Sequence, residues 1–382
     1  MSTPSVRLTN IDMLRGIVMI LMCIDHARDY TLFHPADPMI LPETPFSVWL
    51  LRVLAHFCAP TFIFLAGISI WMAGRKKGKA DLSSFLFVRG AILCLLEITI
   101  VNWAWSFNPC FHTIYLQIIW AMGIAMMAMG ALIHLPRHLL AGGCMAVLLL
   151  HNLFDSVRFE ENSFMFYLWS LLIQKNLLPL GEHLMARTTY PVLPVIALMG
   201  LGYAVGKWYT HLDAATRKKN LRYTAFAMLG LFVLFRLVIG YGDSSPIETG
   251  KGALTYFMSA LNTTKYPLSL DFILLYLSIP ILILSVTDGK EIKGITVTLG
   301  RVPMFFYILH IYLLHAIILL WLVWQGEEID FSRNLGGVAA TTGYPMEFLW
   351  LVIPFTVAVL YIPCRWYYGI RKKKRYAITK YL

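Results

Sequence analysis

Apolar runs of about twenty residues recur from one end of this sequence to the other. Each is about the length a helix needs to cross about 30 Å of hydrocarbon at about 1.5 Å per residue. Inside a bilayer every backbone polar group must be paired within the segment, so such runs are read as helices. Of the 382 residues, 58% are hydrophobic and only 14% are charged, where a soluble chain carries about a quarter charged. The pattern therefore predicts an all-α, polytopic integral membrane helical bundle. No stretch is long and polar enough to fold alone, so residues 1–382 are read as one domain.

Hydropathy predicts about ten spans, over residues 11–31, 46–73, 83–105, 113–133, 138–154, 190–208, 223–240, 267–287, 298–324 and 347–364. Residues 163–174 are apolar but too short to cross, and suit an interfacial or re-entrant helix. An even number of spans puts both termini on one side. Most of the 32 Lys and Arg then gather on that side, among them Arg75 to Lys79, Arg137, Arg217 to Lys219, Arg222, Lys290, Lys293 and the tail from Arg371 to Arg375. By the positive-inside rule that side is the cytoplasm. The net charge of +11 follows this topology and the attraction of basic tails to anionic lipid, which argues against a nucleic-acid partner. The first apolar run ends in charged residues with no small-residue cleavage site, so it is expected to stay as the first span. The six cysteines lie mostly in apolar runs and read as small buried hydrophobes rather than a disulfide framework.

The first span, Asp12 to Asp29, is apolar from Gly16 to Ile24 and densely ionisable at both ends. Charge held that close to lipid usually faces a protein interior or a wet cavity. On a helix Asp25 shares a face with Arg28 and Asp29, and His26 shares one with Asp29 and Tyr30. A histidine beside a carboxylate suits a general base; the plainer reading is an ion cluster that ends the helix. At the other end Asp12 and Arg15 are three apart and are expected to pair. Arg89 and Arg301 fall near the same boundary, either as solvated anchors or as holders of a phosphorylated ligand.

Further candidates lie along the chain. Pro60 cannot donate to the carbonyl of His56, so His56 is placed at a kink in the second span. His310 pairs by spacing with Tyr307; a mid-membrane histidine is costly enough to mark either a pathway or a helix-to-helix hydrogen bond. Asn262, Lys265 and Tyr266 precede the eighth span, where Pro267 reads as its first helical residue; they are either interfacial anchors or part of a site with the Asp25 cluster. His310 and His315 do not share a helical face, and no metal-ligand or phosphate-loop spacing is present, so no metal is predicted. These residues fit a transporter for sugars or anions. They equally fit an enzyme that moves a group from a donor inside to an acceptor outside, while a purely structural role sits poorly with polar residues clustered within spans.

Four segments carry a resemblance. Ile11-Asp12-Met-Leu-Arg15-Gly16 with the Asp25-His26 end, and Ala55-His56-Phe-Cys-Ala-Pro60-Thr-Phe-Ile-Phe-Leu-Ala-Gly67, resemble the heparan-α-glucosaminide N-acetyltransferase family. Gly300-Arg301-Val-Pro303 through His310, and Tyr190 to Gly200, are similar to its bacterial branch. The resemblance implies transfer of acetyl from cytoplasmic acetyl-CoA to the amine of a glucosamine-type sugar or glycan across the membrane. It also implies a bacterial inner-membrane location and a homodimer. Counted from Arg15, His26 falls where the lysosomal enzyme has an active-site asparagine. The family's catalytic histidine lies in the loop after the first span, where His34 stands alone here, a few residues early; His26 and His56 are the alternatives. With Asp25 and Asp29 these form the expected catalytic set. Arg28, Asn262, Lys265, Tyr266 and His310 are the expected substrate contacts, and Arg15, Arg89 and Arg301 would hold the phosphates of CoA.

Overall fold

The computed structural model describes residues 8–31, 39–41, 44–108, 111–326 and 346–373. His34, Asp37, Cys110, Glu327, Glu328, Asp330, Arg333 and the end of the basic tail lie outside them.

The chain is mostly helical. Among the described residues, eight helices are long and apolar enough to cross a bilayer, the first being Phe46–Gly74 and the last Glu347–Lys372. Two further apolar segments stand apart from these eight. α1 (Thr9–Thr31) has 23 residues, about 34 Å of helix, but its charges at both ends set it apart from the rest. α6 (Ile118–Leu132) has only 15 residues.

In order, α1 is followed by α2 (Phe46–His56) and α3 (Cys58–Gly74), which break at Phe57 where Pro60 removes a donor. α4 (Lys79–Leu96) runs through a π-helical turn, Glu97–Val101, into α5 (Asn102–Ser106). After α6 come α7 (Arg137–Leu150), the short α8 (Phe164–Leu172), α9 (Val192–Gly206) and α10 (Trp208–His211). Then follow α11 (Ala214–Val233), α12 (Ala253–Leu261), α13 (Leu270–Thr287), α14 (Ile295–Gly300), α15 (Pro303–Trp324) and α16 (Met346–Lys372).

Several boundaries differ from the hydropathy reading for physical reasons. Residues 113–116 are not the start of a span. Thr113–Leu116 forms β1, parallel to β3 (Met185–Thr188), which also pairs antiparallel with β2 (Leu177–Pro179). β-branched and aromatic residues suit a strand, and the Asn102 side chain pins this one, accepting from Tyr115 N at 3.0 Å and donating to Thr113 O at 3.2 Å. The bundle thus carries a small sheet that an all-α reading omits. α6 starts only at Ile118, where the Glu97 carboxylate accepts from Trp120 N at 3.0 Å, satisfying a donor that a helix start leaves open. α11 begins nine residues before the apolar run, because Asp213 caps it by accepting from Ala215 N and Thr216 N at 2.9 and 3.0 Å. Pro267 is not the first residue of α13; Ser269 is its cap, accepting from Phe272 N at 3.1 Å. Residues 164–172 form a short capped helix, in keeping with the non-spanning reading.

α1 sits at the centre, packed on α2, α3, α13, α14, α15 and α16. Its contact with α14 is backbone to backbone. A Cβ on Gly16 would lie 1.8 Å from Thr296 O, and one on Gly300 would lie 1.8 Å from Asp12 O. Small residues allow this approach, on which helix association in lipid depends. Gly300→Ala is therefore expected to destabilise the protein by about 1–3 kcal/mol or more. Gly142, with nothing within 4 Å, supplies the control: thermal unfolding in detergent should fall for Gly300→Ala and not for Gly142→Ala.

The arginine buried in the seventh predicted span also has a structural task. Arg236 donates to the carbonyls of Ser245 at 2.7 Å, Ser259 at 3.0 Å, Ala260 at 3.2 Å and Asn262 at 3.3 Å. Beside it the Asp243 carboxylate accepts from Thr264 N at 2.7 Å and from the Ser269 hydroxyl. Together they hold the segment 262–269 against the end of the bundle, and so fix where Lys265 and Tyr266 stand.

Candidate functional site

At the Asp25 end of α1 the bundle encloses a cavity of about 130 Å³. Asp25, His26 and Asp29 reach it from α1, Arg52 from α2, Trp105 from α5, Gln117 from the entrance to α6, Tyr190 from the approach to α9, Lys265 and Tyr266 from the segment before α13, and Tyr307 from α15. Segments more than 280 residues apart in sequence meet here.

Asp25 is the electrostatic hub. Its carboxylate accepts from Arg28 at 2.9 Å and from Arg52 at 2.8 Å, and the Lys265 ammonium stands 3.9 Å away. Arg28 also bridges to Asp29. Asp25 and Arg28 are buried, so each ion has exchanged water for its partners, an arrangement whose attraction has to offset the desolvation of both. The i, i+3 spacing of Asp25 and Arg28 is the one expected from the sequence; Arg52 was not foreseen.

His26 does not take a carboxylate partner. Its Nδ1 lies 2.7 Å from Nε2 of His310, with the two rings within 12° of parallel. The edge of Trp105 meets the His26 ring at a centroid distance of 4.8 Å, and Tyr307 lies at 6.3 Å. The correction has a geometric cause. His26 points toward α15, while Arg28 draws both carboxylates to the neighbouring face.

Tyr266 and Tyr190 form a second polar pair on the wall, rings 4.9 Å apart and nearly perpendicular. Burial alone would raise the Tyr266 phenol. The Lys265 ammonium and Arg52 guanidinium outweigh it and hold the phenol below its ordinary pKa.

Other candidates are placed elsewhere. His56 is buried off the cavity, its ring between Phe272 and Tyr276 at 5.2 and 4.9 Å, with Nδ1 unpartnered. Asn262 does not line the cavity; its amide donates to Met39 O at 2.6 Å. His310 is fully buried behind His26 rather than on the cavity wall. His34 lies outside the described residues.

The opposite end of α1 carries the second cluster. Asp12 accepts from Arg15 at 3.3 Å and from Arg301 at 3.4 Å. Arg15 also donates to Leu65 O at 3.3 Å and to the Ser69 hydroxyl. Arg301 donates to the Tyr368 hydroxyl at 3.1 Å, with its guanidinium over that ring, and its own carbonyl accepts from Arg371 at 2.8 Å. Arg89 stands within electrostatic reach of Arg371 and Arg15, and its Nε is buried without a hydrogen-bond partner. Among the described residues, four arginines gather at one carboxylate, the kind of footing an anionic ligand needs.

A helical membrane bundle threaded by one helix that is charged at both ends is an integral membrane protein equipped to handle polar molecules within the bilayer. Residues 7–236, more than half of the chain, match the family model described as heparan-alpha-glucosaminide N-acetyltransferase, catalytic. The chain belongs to this family of transmembrane acetyltransferases. No curated protein matches it. The matched region contains Asp12, Arg15, the Asp25 cluster, Arg52 and Tyr190, while Lys265, Tyr266, Arg301, Tyr307 and His310 are supplied from beyond it.

Proposed function

We propose that the protein transfers an acetyl group from acetyl-CoA, held at the Asp12 end of α1, to the amine of an amino sugar or related glycan held in the cavity at the Asp25 end. If α1 and α6 cross as well as the eight longer helices, both termini and the Asp12 end share one side, and the basic segments that gather there favour the cytoplasm. The inner membrane of a bacterium suits this arrangement.

The observation that carries the reading is the span of α1. One helix, about 34 Å long, supplies Asp12 and Arg15 to the cluster of arginines at one end and His26 to the cavity at the other. Arg15, Arg89 and Arg301 suit the phosphates of CoA, since guanidinium groups match phosphate oxygens. The pantetheine arm would then run along α1 toward the cavity.

The acceptor amine arrives as an ammonium ion and cannot attack until it loses a proton. His26 is the base, as the imidazole on the cavity wall. The amine nitrogen then bonds to the thioester carbonyl carbon, whose oxygen gains negative charge. Lys265 and the acidified Tyr266 phenol suit that oxyanion, because a donor preorganised in a site shielded from water stabilises developing charge strongly. The C–S bond breaks as the carbonyl reforms, the departing thiolate takes the proton that His26 holds, and His26, free again, takes the remaining extra proton from the nitrogen and releases it to solvent, leaving the neutral amide. Asp25 and Asp29 keep Arg28, Arg52 and Lys265 in place throughout.

The test is a sealed proteoliposome with a panel of amino sugars inside and labelled acetyl-CoA outside. Labelled N-acetyl sugar should accumulate in the lumen, and only when the protein is present. Absence of product from every sugar with the protein folded, or sugar uptake that needs no acetyl-CoA, would replace this reading with that of a transporter.

A further inference from the structure

We propose that His310 is a positioning residue that fixes the tautomer of His26, so that Nε2 of His26 is the lone pair presented to the cavity. The inference rests on the reading of His26 as the base, and supplies what that reading leaves open: which nitrogen takes the proton, and what holds it ready.

The argument starts from a carbonyl. Nδ1 of His310 lies 3.1 Å from Phe306 O. A carbonyl oxygen only accepts, so Nδ1 of His310 carries the hydrogen. In a neutral imidazole the other nitrogen is then an acceptor. That nitrogen, Nε2 of His310, faces Nδ1 of His26 at 2.7 Å, so His26 must donate from Nδ1. Its remaining nitrogen, Nε2, is left unprotonated. His26 lines the cavity, and none of the described protein groups hydrogen-bonds that nitrogen.

Packing makes the choice durable. His310 is 0% exposed, so water does not compete for its Nε2. The Phe306 ring lies over it at 5.4 Å and within 11° of parallel, and the ring of Tyr307 approaches it at 5.6 Å. Trp105 presses on the His26 ring from another side. Neither imidazole can turn without breaking these contacts.

The result is a relay in which a backbone carbonyl orients one histidine and that histidine orients the next. Most histidine bases are oriented by a carboxylate or carbonyl directly. Here the nearby carboxylates are committed to Arg28 and Arg52, and the second imidazole takes their place. When His26 accepts a proton on Nε2, its Nδ1 hydrogen still points at His310, so the positive charge is shared along the pair until the leaving thiolate removes the proton. The positioning residue lies beyond the region that matches the family, so the base and the group that orients it come from opposite ends of the chain.

Three variants decide the matter: His310→Ala, His310→Gln and, in case the first does not fold, His310→Leu. Gln can place an amide oxygen where Nε2 stands and accept the same hydrogen; Ala and Leu cannot. His310→Ala or His310→Leu should lower kcat about 100- to 1,000-fold with both KM values within about threefold of wild type, as expected when a base is left in the wrong tautomer. His310→Gln should recover at least about tenfold of that loss. A second readout needs no acetyl transfer. Carbethoxylation of His26 by diethyl pyrocarbonate, followed by peptide mass spectrometry, should slow about fivefold or more in His310→Ala and return in His310→Gln. A preserved labelling pattern without any transfer would fault the proposed reaction and leave the relay standing. The relay is overturned by unchanged His26 labelling in His310→Ala or His310→Leu, by a rise in acceptor KM with kcat intact, or by a folded His310→Gln no better than His310→Ala.

Discussion

Replacing His26 by alanine is expected to lower kcat for acetyl transfer by about 100- to 10,000-fold, the usual range for a lost general base. The donor KM should hardly move, because the arginines at the Asp12 end are about three to four turns of α1 away. The loss should exceed that of His56→Ala, whose ring packs between Phe272 and Tyr276 away from the cavity, and the same series should include His34→Ala. Single-turnover transfer from labelled acetyl-CoA ranks the three. Should His26→Ala keep more than a tenth of wild-type kcat, the base lies elsewhere, and the rank order of the other two says where. His26→Ala is expected to fold, because His26 is half-buried at a cavity wall and makes one hydrogen bond, so its loss enlarges a space that already exists.

The same region shows what a sequence does and does not carry. Asp25, Arg28 and Asp29 fall within one turn of one helix, so helical spacing was enough to predict their pairing. Asp12 with Arg15 was equally legible. Arg52 was not drawn into the cluster, although a signal was present: a lone arginine in the middle of an apolar run is costly and implies a nearby carboxylate. Tyr190, Gln117 and Tyr307 gave no such signal, because a neutral residue at a span end costs little wherever it points. His310 was matched to Tyr307 by spacing along its own helix, and that contact exists, but its decisive partner is 284 residues away. Long-range pairing of this kind leaves no periodic trace. The strand Thr113–Leu116 was hidden for another reason. It is as apolar as the span it precedes, and hydropathy alone does not separate a strand from the first turn of a helix.

Asp25→Ala is expected to have the largest effect on stability, about 3–5 kcal/mol, the typical consequence of breaking a buried ion pair from one side. The number follows from what remains behind. Arg28 keeps Asp29, but the Arg52 contact at 2.8 Å and the Lys265 contact at 3.9 Å both lose their carboxylate, in a place where Asp25 itself is only 4% exposed. Asp25→Asn should cost less, since the amide oxygen still accepts from one guanidinium while the charge is gone. The discriminating measurement is the double variant Asp25→Ala with Arg52→Met. If the penalty comes from a stranded charge, removing Arg52 as well should return a good part of the lost thermal stability in detergent, a coupling of about 1–3 kcal/mol. Activity should not return with it, because the double variant leaves Lys265 without the carboxylate that places it and Tyr266 without the Arg52 guanidinium that helps to acidify it. Additive losses would mean that Asp25 acts by packing alone. Recovery of stability without recovery of transfer would separate the two tasks of this carboxylate, holding the bundle end together and organising the groups that face the reacting carbonyl.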